Sequence, residues 1–149
     1  MSDRILLVDS DPVEVELITI ALNEAGITNP IDVVPDGEAV FDYLYKRKKY
    51  SDRVGHFPIV IFLDLKLPKI DGRQVLKQLK ETDLLNCIPV VVVTGSKAEQ
   101  DIIAAYAHRA NSYIIKPVGS HEFFEVMKSA GLYWTVTSQP PPVDQCKVL

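Results

Sequence analysis

At 149 residues and 16.7 kDa the chain has the size of one ordinary domain, which excludes a large multidomain enzyme. Its 47% hydrophobic and 24% charged residues give the balance of a globular protein that buries roughly two-thirds of its unfolded surface and needs no staples to fold. A formal net charge of -4 excludes overall electrostatic attraction to nucleic acid or an anionic membrane, and the one basic run, Lys46, Arg47, Lys48 and Lys49, reads as a solvated helix end.

Short apolar runs bounded by turn residues alternate with longer segments of helical period, the pattern of βαβ units around a parallel sheet. The first strand is Ile5 to Val8. Asp11, Pro12 and Glu14 then supply an N-cap, a proline at the first helical position and a capping-box carboxylate. Leu17, Ile18, Ala21, Leu22 and Ala25 follow at helical spacing, and Gly26 closes the helix as a left-handed cap. A short second strand near Ile31 to Val34 leads through Pro35, Asp36 and Gly37 into a helix carrying Ala39, Val40, Tyr43 and Leu44. Residues 45–57 are polar and read as a loop. The third strand, residues 59–63, is a continuous apolar run, as expected of a strand buried on both faces, and it stops at Asp64. A helix after Pro68 and Gly72 carries Val75, Leu76 and Leu79. The fourth strand covers residues 90–93 and ends at Thr94, with a helix over residues 98–109. The fifth covers residues 113–115 and ends at Lys116 and Pro117, before a last helix over residues 121–133. Residues 1–134 thus form one domain, and residues 135–149, with Pro140, Pro141 and Pro142, form a tail expected to be flexible.

Two cysteines, Cys87 and Cys146, indicate neither a disulfide framework nor a zinc site, the composition of a reducing compartment. The first residues form neither a signal peptide nor a membrane span, so a cytoplasmic location with no membrane contact is expected.

In a right-handed parallel sheet with helices on both faces, ligands bind beyond the carboxyl ends of the strands, where the strand order reverses. Those ends carry Asp9, Ser10 and Asp11, then Asp64, then Thr94 and Ser96, then Lys116. Two unit negative charges about 4 Å apart repel by roughly 4 kcal/mol at an effective dielectric near 20, so clustered carboxylates protonate or recruit a cation. Oxygen ligands suit Mg2+, which keeps several waters and bridges one or two carboxylates to a phosphoryl group. Lys116 and Thr94 would stabilise the oxygens of that group. Asp64 is the natural nucleophile, since it closes the most apolar strand and precedes a loop with free backbone amides and carbonyls.

These residues resemble the receiver domain of two-component response regulators. The matches are Val8-Asp9 before a helix, Leu63-Asp64-Leu65-Lys66-Leu67-Pro68 with Asp71-Gly72, Val93-Thr94-Gly95, and Tyr113-Ile114-Ile115-Lys116-Pro117. The resemblance implies an α/β, flavodoxin-like (βα)5 doubly wound fold with strand order 2-1-3-4-5. It implies phosphorylation of Asp64 by a partner histidine kinase, movement of Thr94 toward the phosphoryl group with a rotamer change at Tyr113, and a cis bond between Lys116 and Pro117. The implied metal ligands are Asp9, Asp64 and the backbone carbonyl of Lys66, with Ser10 or Asp11 as further candidates. The chain is most similar to the small single-domain regulators of bacterial and cyanobacterial phytochromes, which implies a light-sensing kinase partner. It also implies a homodimer through the face of helix four, strand five and helix five.

One departure from the family pattern is chemical. Two adjacent acids normally follow the first strand, whereas Asp9 is followed here by Ser10, whose hydroxyl brings no charge. Weaker Mg2+ binding is expected, and a docking module without efficient phosphorylation is the alternative reading. A more remote alternative is a haloacid-dehalogenase-like phosphatase with Asp9 as nucleophile, which leaves Asp64 without a role. In the last helix Phe123, Val126, Met127 and Ala130 sit at core spacing, so Phe124, Tyr133 and Trp134 are candidates for the dimer interface.

Overall fold

The computed structural model describes residues 3–142; residues 143–149, Cys146 among them, lie outside. Strands β1 (Ile5–Val8), β2 (Ile31–Val34), β3 (Val60–Leu63), β4 (Val90–Thr94) and β5 (Ser112–Ile115) form one parallel sheet in the order β2-β1-β3-β4-β5. This is the order implied by the resemblance. Ile5 pairs with Ile31 on one side and Val60 on the other, so the chain direction across the sheet reverses at β1.

The pleat sends alternate side chains to opposite faces. Leu6, Val8, Ile61, Leu63, Val90 and Val92 share one face with α2 (Gly37–Leu44), α3 (Gly72–Glu81) and α4 (Glu99–Ala107). Ile5, Leu7, Val60, Phe62, Val91 and Val93 share the other with α1 (Pro12–Glu24) and α5 (Ser120–Leu132). Burial on both faces explains why β1, β3 and β4 read as unbroken apolar runs. Helices α1 and α5 meet so closely that a Cβ on Gly131 would stand 2.3 Å from Leu22 Cδ2. Among the described residues no helix is long and apolar enough to cross a membrane.

Two details differ from the sequence expectations. The loop after α2 contains a 3-10 turn, Lys48–Tyr50, and its basic run folds back on acids of α2: Arg47 Nε lies 3.2 Å from Asp42 and Lys48 Nζ 3.0 Å from Glu38. Helical structure continues beyond α5 as a π-helical segment, Tyr133–Thr137, and Pro141 and Pro142 line a small cavity with Pro58, Ile59, Cys87, Ile88 and Pro89.

Lys80 on α3 is a buried cation held by local geometry. Its ammonium donates to Asn86 O (3.2 Å), Ile88 O (2.9 Å) and Asn111 Oδ1 (3.0 Å), which ties α3 to the segments entering β4 and β5. Burial, helped by the Arg109 charge, holds its pKa down to about 8. Lys80→Met strands three acceptors and is expected to cost about 2–3 kcal/mol in urea unfolding. The folded chain releases this proton at lower pH than the unfolded chain does. The unfolded state therefore binds more protons between about pH 8 and the ordinary lysine value of 10.5. The wild-type protein should gain stability relative to Lys80→Met across that window; a pH-independent difference would contradict it.

Candidate functional site

The carboxyl ends of β1 and β3, flanking the point of strand reversal, place Asp9 and Asp64 side by side, and β5 brings Lys116 to them. The Lys116 side chain is only 12% exposed. Its Nζ lies 3.3 Å from Asp64 Oδ2 and 3.8 Å from Asp9 Oδ2, and it donates a short hydrogen bond to Glu14 Oε2. Oxygens of Asp9, Glu14 and Asp64 all lie within 4.8 Å of one another.

Backbone groups fix the acids. The Asp9 carboxylate accepts from Asp11 N at 2.9 Å, and Asp64 Oδ1 accepts from Lys66 N at 3.2 Å. Burial pushes the Asp9 carboxyl up to about 7; the Asp11 N–H and the Lys116 charge oppose the rise, while Glu14 and Asp64 add to it. At Lys116 burial disfavours the charge, but the bond to Glu14 and the charges of Asp64 and Asp9 outweigh it and raise its pKa above the ordinary lysine value.

Glu14 is the residue that sequence reasoning missed. A capping box would turn its carboxylate back to the N–H of Asp11, but that N–H is already bound to Asp9, and Glu14 reaches Lys116 instead. The available signal was position: Glu14 stands in the first turn of a helix that begins at the site. The two further metal candidates are not drawn in. Asp11 uses its Oδ1 to cap α1 at Val13 N (2.9 Å), and Ser10 is exposed.

Thr94 is buried at the end of β4, where its carbonyl accepts from Lys116 N at 2.7 Å and its hydroxyl oxygen faces Ser96 N at 3.4 Å. Tyr113, half-buried on β5, donates its hydroxyl to Ser96 O at 3.1 Å. Ser96 in turn bonds to Asp101, which Arg73 of α3 approaches at 3.2 Å. A continuous polar chain thus runs from β5 through the β4–α4 loop to α3. The expected cis bond before Pro117 is absent: every peptide bond among the described residues is trans, the intrinsically favoured isomer even for X–Pro, and Lys116 reaches the acids in that geometry.

The aromatic candidates divide. Phe124 and Trp134 pack against the core face covered by α1 and α5, and only Tyr133, edge-on to Trp134 at 5.0 Å, is exposed. Phe124 and Trp134 are each only partly buried there. On the α4–β5–α5 side Ile103, Tyr106 and Val118 are exposed.

Gly72 sets the backbone beneath Asp64. A Cβ there would stand 2.5 Å from Asp64 O and from Leu65 Cα, contacts that force main chain to move. Gly72→Ala is expected to destabilise by about 1–3 kcal/mol in urea unfolding and to impair reactivity at Asp64; wild-type behaviour in both would show that the loop yields freely.

Three carboxylates in one cluster make an all-oxygen donor set, which fits a hard divalent cation. Asp9, Glu14 and Asp64 could hold one. The family model described as response regulator receiver domain matches residues 5–128. The probable methanogenesis regulatory protein FilR2 of Methanothrix harundinacea is 36% identical over 92% of this chain and 86% of its own length. Response regulator Rcp1 of Synechocystis sp. is 34% identical over 92% of each, and the Mn2+-bound form of response regulator Rcp1 superposes with a TM-score of 0.88 at 33% identity, over 94% of this chain and 99% of that one. The phosphorylated cyanobacterial phytochrome response regulator RcpA superposes equally well, with a TM-score of 0.88 and 33% identity over 95% of this chain and 100% of that one.

Proposed function

The chain belongs to the response regulator receiver domain family, and from that premise we propose that it is a response regulator that accepts a phosphoryl group on Asp64. The observation that carries this is the buried Lys116 ammonium 3.3 Å from the Asp64 carboxylate, at the strand reversal and beside two further acids. An Asp64 oxygen attacks the phosphorus of a phosphohistidine on a sensor kinase. The P–N bond breaks as the P–O bond forms, and the departing imidazole takes up a proton on the freed nitrogen. Lys116 stabilises charge on the transferred group's oxygens, and the Lys66 N–H keeps the attacking carboxylate oriented. Asp9, Asp64 and the Lys66 carbonyl would hold Mg2+, which supplies charge neutralisation to the phosphoryl oxygens.

The new group brings about 1.5–2 negative charges to the pocket. Thr94 turns its hydroxyl to it, and the loop carrying Ser96 releases Tyr113, so the change reaches α4 and β5. Moving a population from 1:99 to 99:1 takes about 5.5 kcal/mol, more than one exposed ion pair gives, and burial of the Tyr113 ring contributes the remainder. The face of α4, β5 and α5, with Ile103, Tyr106 and Val118 exposed, is then the surface for a second copy of the chain. Likeness to RcpA supports a phytochrome as the kinase. The match to the receiver model over residues 5–128 supports the receiver reading over the phosphatase alternative. Incubation with acetyl phosphate, with and without Mg2+, tests the reading: intact mass should rise by one phosphoryl group in a Mg2+-dependent way. An unchanged mass under both conditions would favour the docking alternative.

A further inference from the structure

We propose that Glu14 is a ligand for the divalent cation of this pocket and that, when no cation is held, the same carboxylate shields Lys116. The inference rests on the pocket being the cation site of the phosphoryl-accepting reaction, and it names a residue outside the expected ligand set.

Three observations lead to it. Glu14 places a carboxylate oxygen within 4.8 Å of ligand atoms from both Asp9 and Asp64, the distance range over which one ion can be shared. A cation already sits in that cluster: the Lys116 ammonium contacts Glu14 and stands 3.3 Å from Asp64 and 3.8 Å from Asp9, although its side chain is only 12% exposed. Three carboxylates face this single ammonium, and their excess negative charge is what a divalent ion compensates. Finally, the neighbouring oxygen donors are committed or turned away, Asp11 to the N-cap of α1 and Ser10 to solvent.

Glu14 stands on the first helical turn, so rotation about its own side-chain bonds is enough to exchange one cationic partner for another. In the cation-free chain the Glu14–Lys116 contact neutralises the ammonium and competes with any phosphoryl oxygen for its protons. When Glu14 turns to the divalent ion, Lys116 is released toward Asp64. The residue that supplies the missing charge at Ser10 thereby also makes the availability of Lys116 depend on cation binding.

Mn2+ alone is the probe. The wild-type chain, Glu14→Gln, Glu14→Asp, Ser10→Ala and Asp64→Asn are titrated while free Mn2+ is followed by its electron paramagnetic resonance signal, with circular dichroism melts as the control for folding. Glu14→Gln is expected to weaken Mn2+ binding about tenfold, since it removes one charged oxygen ligand. Glu14→Asp should retain part of the affinity, and Ser10→Ala all of it. Unchanged affinity in folded Glu14→Gln, with loss in Asp64→Asn, would overturn the role of Glu14 and leave the phosphoacceptor reading intact. Wild-type and Asp64→Asn affinities that are equal, or no Mn2+ binding by the wild-type chain, would overturn the cation site itself and the inference with it.

Discussion

Asp64→Asn loses labelling by acetyl phosphate altogether, a fall of at least about a thousandfold, because a carboxamide oxygen carries no charge with which to attack phosphorus. The substitution nearly conserves shape. Its side-chain oxygen can still accept from Lys66 N, the contact Asp64 makes at 3.2 Å, so the loop over Gly72 is expected to keep its form and the chain its fold. Intact-mass analysis beside a melting curve separates lost chemistry from lost structure. Undiminished acyl phosphate in a folded Asp64→Asn chain would remove Asp64 as acceptor. Peptide mapping would then show whether Asp9, the other buried acid beside Lys116, carries the group.

Lys116→Ala is expected to have the largest effect on stability. The ammonium is the one cation within 4.0 Å of Asp9 and Asp64 among the described residues, and it bonds to Glu14 as well. Removing one partner from a largely buried charge cluster costs about 3–5 kcal/mol, since the acids left behind repel one another without a counter-charge. The pH dependence has a definite sign. Asp9 already has a folded pKa of about 7, above its ordinary value of 3.8, so the folded chain binds more protons than the unfolded chain between those values. Stability from this group is therefore present at low pH and declines as pH rises through that window. Lys116 is one of the influences holding the Asp9 value down. Without it the penalty should be greatest above pH 7 and shrink toward pH 5, where Asp9 takes up a proton. Urea unfolding of both chains at pH 5 and pH 8 measures this. A difference that is equal at the two values, or under about 1 kcal/mol, would mean that Lys116 does not neutralise the cluster.

Much of the site could be seen in the order of residues. Each buried strand is an apolar run that stops at a polar residue, and in a parallel sheet those stops share one edge. Asp9, Asp64, Thr94 and Lys116 could therefore be assembled on paper once the runs were recognised as strands. Glu14 could not, because its spacing after Asp11 satisfied a local explanation, and only the capture of the Asp11 N–H by Asp9 showed that the capping box does not form. Helical period likewise gives the side of a helix a residue occupies, not how far its neighbours extend to cover it, so the partial packing of Phe124 and Trp134 on the core was not legible from spacing.

What the sequence determined by itself was the set of strands, the burial of β3 on both faces and the identity of the groups at the carboxyl ends, because periodicity and turn chemistry are local properties of the chain. The tertiary structure alone decided which acid answers Lys116 and which aromatics remain exposed. Each of these is a choice between alternatives that are nearly equal for an isolated segment. Contacts from Asp9, Asp64 and Thr94, residues remote from Lys116 in the chain, separate those alternatives by a few hydrogen bonds and charges that exist only when the strands are side by side.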